Sequence, residues 1–257
     1  EFKKNPKQFT RDFIDSIAPD VYGLEDVKEA VALALVGGEG AKNNDNPYIH
    51  VLIIGEPGIG KTKLLRQVEM VSPKAIYVSG ENATKVGLSA GIDTDEVTGI
   101  KMVRAGALAL AVGGVVLLDE IDKLNPQDIP SLREAMQDQK ITMTKIKKAK
   151  LNARVTVIAS GNPKGDVFGN IGNKLQYIDI NKSILTRFDL IFALKFEPDP
   201  DRVKFIYEST TRTTNHGLTE FMHNPPIPPE LMKKIILYAK HVLKPEFTPE
   251  AFKLLNE

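Results

Sequence analysis

Gly55-Glu56-Pro57-Gly58-Ile59-Gly60-Lys61-Thr62 follows the apolar run Ile49-His50-Val51-Leu52-Ile53-Ile54 and leads into the helical pattern Lys63-Leu64-Leu65-Arg66-Gln67-Val68. The spacing fits G-x-x-x-x-G-K-[ST] at every fixed position, in the context that motif requires: a buried strand, a glycine turn, then a helix. Small residues let successive backbone N–H groups curl around a phosphate, and the following helix aims its positive end at the same anion. Lys61 is thereby placed to reach the β- and γ-phosphates of a nucleotide such as ATP or ADP, and Thr62 to offer a hydroxyl to Mg²⁺. The alternative is a glycine turn with an incidental lysine. It must explain why strand, spacing, lysine and threonine all agree.

Gly114-Val115-Val116-Leu117-Leu118-Asp119-Glu120 is a second continuous apolar run, ending in two adjacent carboxylates. Uninterrupted Val/Leu runs are the mark of buried parallel strands, and ligands of such sheets collect beyond the strands' carboxyl ends. Asp119 is then placed to hold Mg²⁺ through water, and Glu120 to polarise an attacking water as general base. An acidic pair at a strand end is common by itself. Its pairing with the glycine turn makes the α/β fold with a central parallel sheet the expectation.

At 257 residues the chain has room for one large domain, or a domain with a smaller appendage. Hydrophobic content of 42% and charged content of 26% are those of an ordinary soluble globular protein, and the net charge of +1 leaves nucleic acid open as a partner, since a local basic patch can hide in a balanced total. Cysteine is absent, which excludes disulfides and cysteine-held metal and fits an intracellular setting. No apolar run approaches the ~18 residues of a membrane span. The chain opens at Glu1 without a methionine, and the expectation is a fragment of a longer protein.

Helices are expected from Asn5 to Ile17, with Phe9, Phe13 and Ile17 on one face, and from Leu24 to Leu35, stopping at Gly37-Gly38. Gly87 to Met102 reads as a hairpin insertion around the acidic turn Asp93-Thr94-Asp95-Glu96, followed by a helix from Ala105 to Ala111. Ile129 to Asp138 is helical. Ile141-Thr142-Met143-Thr144 and the strand Arg154 to Ala159 flank a second hairpin whose tip is the basic run Lys145 to Lys150. Composition alone favours reading that tip as a solvated turn. Asn162, in Ser160-Gly161-Asn162-Pro163, is placed either to bond a γ-phosphate or attacking water, or simply to form a turn before Pro163. Arg187, between Thr186 and Phe188 where a helix end runs into another buried strand, is either a snorkelling surface arginine or a charge presented to a neighbouring subunit's nucleotide. Beyond Pro200 the pattern is helical to Glu257, with a proline-rich loop from His216 to Pro229.

Taken together, Ser16-Ile17-Ala18-Pro19-Asp20-Val21-Tyr22-Gly23, the glycine turn, Leu118-Asp119-Glu120-Ile121-Asp122-Lys123-Leu124, Glu134-Ala135-Met136, Leu151-Asn152-Ala153-Arg154, Asn162-Pro163 and Leu185-Thr186-Arg187-Phe188-Asp189-Leu190 resemble the AAA+ ATPase domain of the minichromosome maintenance (MCM) replicative helicases, archaeal type. The resemblance covers nearly the whole chain in order. It implies an AAA+ core over residues 1–197, with a helix-2 insert at about 87–102 and a presensor-1 hairpin at about 141–154, and a truncated helical lid over 198–257. It implies that Gly55, Glu56, Pro57, Gly58, Ile59, Gly60, Lys61, Thr62 and Lys63 form the Walker A nucleotide site, that Val21, Tyr22 and Gly23 lie against adenine, and that Thr62 and Asp119 hold Mg²⁺. Glu120 becomes the Walker B base, Asn162 the sensor-1 residue, Arg187 a finger acting in trans, and Lys145, with Lys147 and Lys148, a DNA contact in a central channel. The implied partners are single-stranded DNA bound without sequence preference, further copies of the chain in a hexamer, and other replication factors, in the cytoplasm at the nucleoid. Ile59-Gly60-Lys61-Thr62 departs from the family's usual small residue followed by Ala-Lys-Ser, and the second hairpin is about one residue short. Two other readings share the motifs: a MoxR- or chelatase-like remodelling ATPase acting on protein, and a nucleotide-binding assembly module without catalysis.

Overall fold

The computed structural model describes residues 5–38, 46–82, 85–94, 101–143, 149–169, 174–215, 225–244 and 248–255. Helix α1 (Pro6–Asp15) starts where the Asn5 side chain accepts the Gln8 amide at 3.2 Å. It ends two residues before Ile17, because the Ser16 amide and hydroxyl both turn back to the Asp12 carbonyl while Ile17 enters the core. Then come α2 (Glu25–Val36), β1 (Val51–Gly55), α3 (Lys61–Val71), β2 (Ala75–Ser79), α4 (Lys85–Leu88), β3 (Ala90–Thr94) and β4 (Lys101–Ala105). They are followed by α5 (Ala107–Leu110), β5 (Val115–Asp119), α6 (Ile129–Asp138), β6 (Lys140–Met143), β7 (Ala149–Asn152) and β8 (Thr156–Gly161). The chain closes with α7 (Lys182–Leu185), β9 (Leu190–Leu194), α8 (Pro200–Asn215), α9 (Pro229–His241) and α10 (Pro249–Leu255). Among the described residues no helix is long and apolar enough to cross a membrane.

Five strands form one parallel sheet in the order β2-β5-β8-β1-β9. This is the α/β architecture expected from the sequence. Successive residues of β1 point to opposite faces, so Val51 and Ile53 join a core with α2, α3 and α9, while Leu52 and Ile54 join one with α6 and α7. β1, β5 and β8 are buried throughout, which their apolar runs anticipate. β9 is different: the sequence reads it as another buried strand, yet it is the outer strand, covered on one edge only, and Ile191 is 38% exposed. From β1 the chain crosses to β2 on one side, and β9 is later laid on the other. The order reverses at β1, and in open parallel sheets the carboxyl end of such a strand is where ligands bind.

Both small hairpins are antiparallel, β3 with β4 and β6 with β7. Ala149 and Lys150 belong to β7, paired with Met143 and Thr142, and so lie in a strand instead of the expected basic tip. Glu134 on α6 ties this hairpin down by accepting the Thr142 amide at 3.0 Å and hydroxyl at 2.5 Å. Lys145, Lys147 and Lys148 fall outside the described residues, as does 95–100 of the first hairpin. The expected helix at 105–111 is shorter because Ala105 still pairs with Ala90. In α9, Met232 and Ile236 are buried against the face formed by α2 and α3.

His50, just ahead of β1, joins three strands. Its amide donates to Asp189 Oδ2 at 2.7 Å, its carbonyl accepts from Asp189 and Leu190, and its Nδ1 accepts the Val157 amide at 3.1 Å. Burial pushes the imidazole below its usual 6.5, with Asp189 partly opposing. The folded chain therefore keeps a neutral ring that the unfolded chain protonates below pH ~6.5. Stability is complete above that value and falls as pH drops below it, by at most about 1.4 kcal/mol per pH unit. Urea midpoints measured from pH 7.5 to 5.5 are expected to decline in the parent and to lose that slope in His50→Asn; a flat parent profile would contradict the assignment.

Candidate active site

The glycine turn follows the carboxyl end of β1 and leads into α3. Gly58 and Gly60 have φ of +81° and +98°, a region that strains any residue with a Cβ, and the Gly60 carbonyl accepts the Leu64 amide at 2.8 Å as α3 begins. Lys61 is buried, its Nζ donating to the Gly55 carbonyl at 2.5 Å and the Glu56 carbonyl at 3.0 Å. Burial lowers its pKa, while Asp119, Asp122 and Asp166 favour the charged form. An ammonium has three donors, so one direction remains for an anion. Ile59 is buried and packs toward Gly55, whereas Pro57, which has no N–H, and Lys63 are exposed.

Glu56 does something the motif does not announce. Its amide donates to the Leu194 carbonyl at 3.2 Å, and its carboxylate accepts the Phe168 amide at 2.8 Å and the Phe196 amide at 2.9 Å. Those two amides hold its pKa below the ordinary carboxylate value. Its side chain thus braces the turn against the segments following β8 and β9. The sequence puts Glu56 among the nucleotide contacts; the structure adds that its carboxylate supports the turn.

Thr62 Oγ1 donates to Asp119 Oδ2 at 2.7 Å, bringing the turn and the acidic strand to one point. Asp119 also accepts from the Tyr77 hydroxyl at 2.7 Å, from the Glu120 amide at 3.0 Å and from the Ser160 hydroxyl. Burial opposes the charge on Asp119, but the bonds from Ser160, Tyr77, Thr62 and Glu120 outweigh it and hold the pKa below the ordinary value. Arg66 lies 3.3 Å over the Tyr77 ring and fixes that phenol from the other side. The donor set fits Mg²⁺: the Thr62 hydroxyl and the Asp119 carboxylate stand at one point and would hold it together with phosphate and water oxygens. Among the described residues no cluster of three acidic, His or Cys side chains stands ready to hold a metal by itself.

Glu120 has φ of +55°, a backbone cost on the order of 1–3 kcal/mol that turns its side chain off the strand's line. Ser79 Oγ donates to its Oε2 at 3.0 Å, and Lys123 Nζ to its Oε1 at 2.8 Å. The approach of β2 to this backbone is so close that a Cβ on Gly80 would sit 2.2 Å from the Glu120 carbonyl oxygen. Asn162, at the end of β8 beside β1, donates from its backbone amide to Asp122 Oδ1 at 3.0 Å and from Nδ2 to Asp166 Oδ1 at 3.1 Å. Val21 packs near Gly60, and Tyr22 stands 5.5 Å from the Phe205 ring on α8, beside Gly23 with its φ of +66°. A reciprocal pair joins Asp20 to Gln67, with Nε2 to Oδ2 at 2.5 Å, and fixes this segment to α3.

Arg187 is not gathered into this group. Leu190 at the start of β9 pairs with Val51, four steps before Gly55, so Arg187 lies at the opposite end of the sheet, roughly 13 Å or more from the glycine turn. Its Nε is buried and has no hydrogen-bond partner among the described residues. The sequence reading missed Tyr77, Ser79, Ser160 and Lys123. Each of the two serines ends the run of a strand, and a polar residue at that register is the signal that finds them: Ser79 pairs directly with Asp119, and Ser160 follows the residue paired with Leu118.

The family model described as the MCM P-loop domain matches residues 1–214. The Minichromosome maintenance protein MCM of Saccharolobus solfataricus is 37% identical over 251 residues, covering 95% of this chain and 35% of the relative. DNA replication licensing factor mcm2 of Xenopus laevis is 37% identical over 252 residues, covering 90% of the chain and 28% of the relative. DNA replication licensing factor MCM6 of Arabidopsis thaliana is 34% identical over 263 residues, covering 100% of the chain and 31% of the relative. The chain thus spans about a third of the length of these relatives. With a nucleotide-binding turn, its acidic partner strand and the match to both family and relatives, this chain belongs to the MCM family and carries that family's P-loop domain.

Proposed function

We propose that the chain is the ATP-hydrolysing motor domain of a ring-shaped replicative DNA helicase, coupling hydrolysis to translocation on DNA and its unwinding. The observation that carries the proposal is the 2.7 Å bond between Thr62 and Asp119, which brings both halves of a Mg²⁺-nucleotide site together. Bound there, Mg²⁺ would neutralise phosphate charge. In this reading the turn from Gly55 to Lys63 cradles the phosphates, through the amides of Gly58 to Thr62 and the Lys61 ammonium, and Val21, Tyr22 and Gly23 face adenine. Asn162 orients the γ-phosphate or the attacking water, and Glu120 takes the water's proton after leaving Ser79 and Lys123. The remoteness of Arg187 from its own glycine turn supports an action on a neighbouring copy's nucleotide, and with it a homo-oligomer, a hexamer in this proposal. The same reading divides the chain into a core of 1–197 and a partial lid of 198–257. It places Lys145, Lys147 and Lys148 on single-stranded DNA in the ring's channel, makes other replication factors partners, and locates the protein at the nucleoid. An archaeal type is proposed on the sequence resemblance, and the S. solfataricus relative, 37% identical over 95% of the chain, supports it. The MCM match favours this reading over a protein-remodelling ATPase.

Lys61→Ala is expected to weaken Mg-ADP binding by about 1.5–3 kcal/mol, the worth of a charge-assisted bond. Glu120→Gln is expected to keep ATP bound while turnover falls by roughly 10² to 10⁴. Calorimetry and phosphate release read the two effects, and equal ADP affinity in the parent and Lys61→Ala would overturn the assignment.

For Arg187 the test is mixing. Arg187→Ala protein is expected to lose roughly 10³ to 10⁵ in rate and to regain part of it with Lys61→Ala protein, because mixed rings contain interfaces with both residues intact. No recovery at any ratio, with co-assembly demonstrated, would rule out action in trans. In a full-length protein, Lys145→Ala is expected to abolish strand displacement and leave basal turnover standing; normal displacement would return the basic tip to a solvated turn.

A further inference from the structure

α8 is attached to the outside of the glycine turn by a closed circuit of contacts. Arg202 Nη2 donates to the Gly58 carbonyl at 2.6 Å, across 144 positions of sequence. The same guanidinium lies 5.0 Å from the Phe196 ring, and the Phe196 amide is held by Glu56 Oε2 at 2.9 Å. The circuit therefore runs from Glu56 through Phe196 and Arg202 back to Gly58. One turn further along α8, Phe205 meets Tyr22, whose neighbour Val21 packs near Gly60. Between 200 and 207 no residue is fully buried, and the two that are half-buried are Arg202 and Phe205. The start of α8 is thus covered on the side where it meets the glycine turn and its neighbours, and exposed at Val203 and Tyr207.

The geometry has a consequence for the turn. An anion-binding turn directs its N–H groups inward, and the same dihedral angles send carbonyls outward. Lys61 takes the Gly55 and Glu56 carbonyls, and Arg202 takes that of Gly58. Any rotation of the Gly58 peptide that improves or worsens its grip on phosphate must also move the acceptor to which α8 is fastened. A bond between a guanidinium and a carbonyl is charge-assisted and directional, and the ring beneath the guanidinium restricts its swing.

We propose that Arg202 is a positioning residue that couples phosphate occupancy of the glycine turn to the seating of α8, through Gly58 on one side and the Glu56-braced Phe196 on the other. This rests on the turn being a nucleotide site. Arg202 acts through its contacts with the Gly58 carbonyl and the Phe196 ring. It transmits the turn's conformation to the helix that carries Phe205 to Tyr22.

Hydrogen–deuterium exchange with ADP and Mg²⁺ as the probe tests the coupling. In the parent, ADP is expected to slow exchange at 55–62 and also at 200–207. In Arg202→Ala, the slowing at 55–62 is expected to persist, while that at 200–207 falls by roughly tenfold, the scale of one charge-assisted bond. Arg202→Lys, which keeps a charged donor, is expected to restore part of it. Phe196→Leu, which keeps the amide bonded to Glu56, is expected to lose a smaller part. Equal ADP protection of 200–207 in the parent and in Arg202→Ala would overturn the proposal. Absence of protection at 55–62 in the parent would overturn the nucleotide site first and the coupling with it, and the two failures appear at different peptides.

Discussion

Asp119 accepts hydrogen bonds from four donors carried by four different segments: Thr62 at the start of α3, Tyr77 on β2, Ser160 on β8 and the amide of Glu120. A buried carboxylate is costly unless its lone pairs are met, and here they are met by groups that also fix the relative positions of the neighbouring strands and the helix. The order β2-β5-β8-β1 makes this possible, because parallel strands in register bring their carboxyl-end residues side by side. Remove the carboxylate's partners and the glycine turn loses its fixed relation to the acidic strand.

Two further constraints depend on that junction. Glu120 leaves the strand in a left-handed conformation and is held between Ser79 and Lys123, so its carboxylate is oriented by β2 and by its own loop. Glu56 holds the far side of the glycine turn against the segments after β8 and β9. The turn is consequently fixed from both directions, by Asp119 on the side of the proposed chemistry and by Glu56 on the other. Arg187, at the opposite end of the sheet, belongs to neither support, and this separation favours the role proposed for it toward another copy.

Much of this was legible in the sequence because the signals are local. Gly58, Gly60, Lys61 and Thr62 sit at fixed spacing between a strand and a helix, and the runs Val51 to Ile54 and Val115 to Leu118 are buried in full, as unbroken apolar runs imply. What escaped depends on which strands are neighbours. Ser79 and Ser160 gain meaning only when β2 and β8 are known to flank β5, and Leu190 to Leu194 form an apolar strand whose exposure follows from its place at the sheet's edge. Glu56 lies inside a motif whose pattern leaves its position open, so its partners 112 and 140 positions away could not be read from spacing. The hairpin ends shifted for a related reason: Ala149 and Lys150 extend a ladder that composition treats as turn.

In the proposed function Thr62 and Asp119 form half of a metal site that only a nucleotide completes. Electron paramagnetic resonance of Mn²⁺, used in place of Mg²⁺, measures this directly. Two protein oxygens hold a divalent ion weakly, and phosphate oxygens supply the rest. Mn²⁺ is expected to bind the chain alone weakly, to bind tightly at one ion per chain once ADP is added, and to lose that tight binding in Asp119→Asn. Tight Mn²⁺ binding without ADP, or undiminished binding with ADP in Asp119→Asn, would contradict that reading.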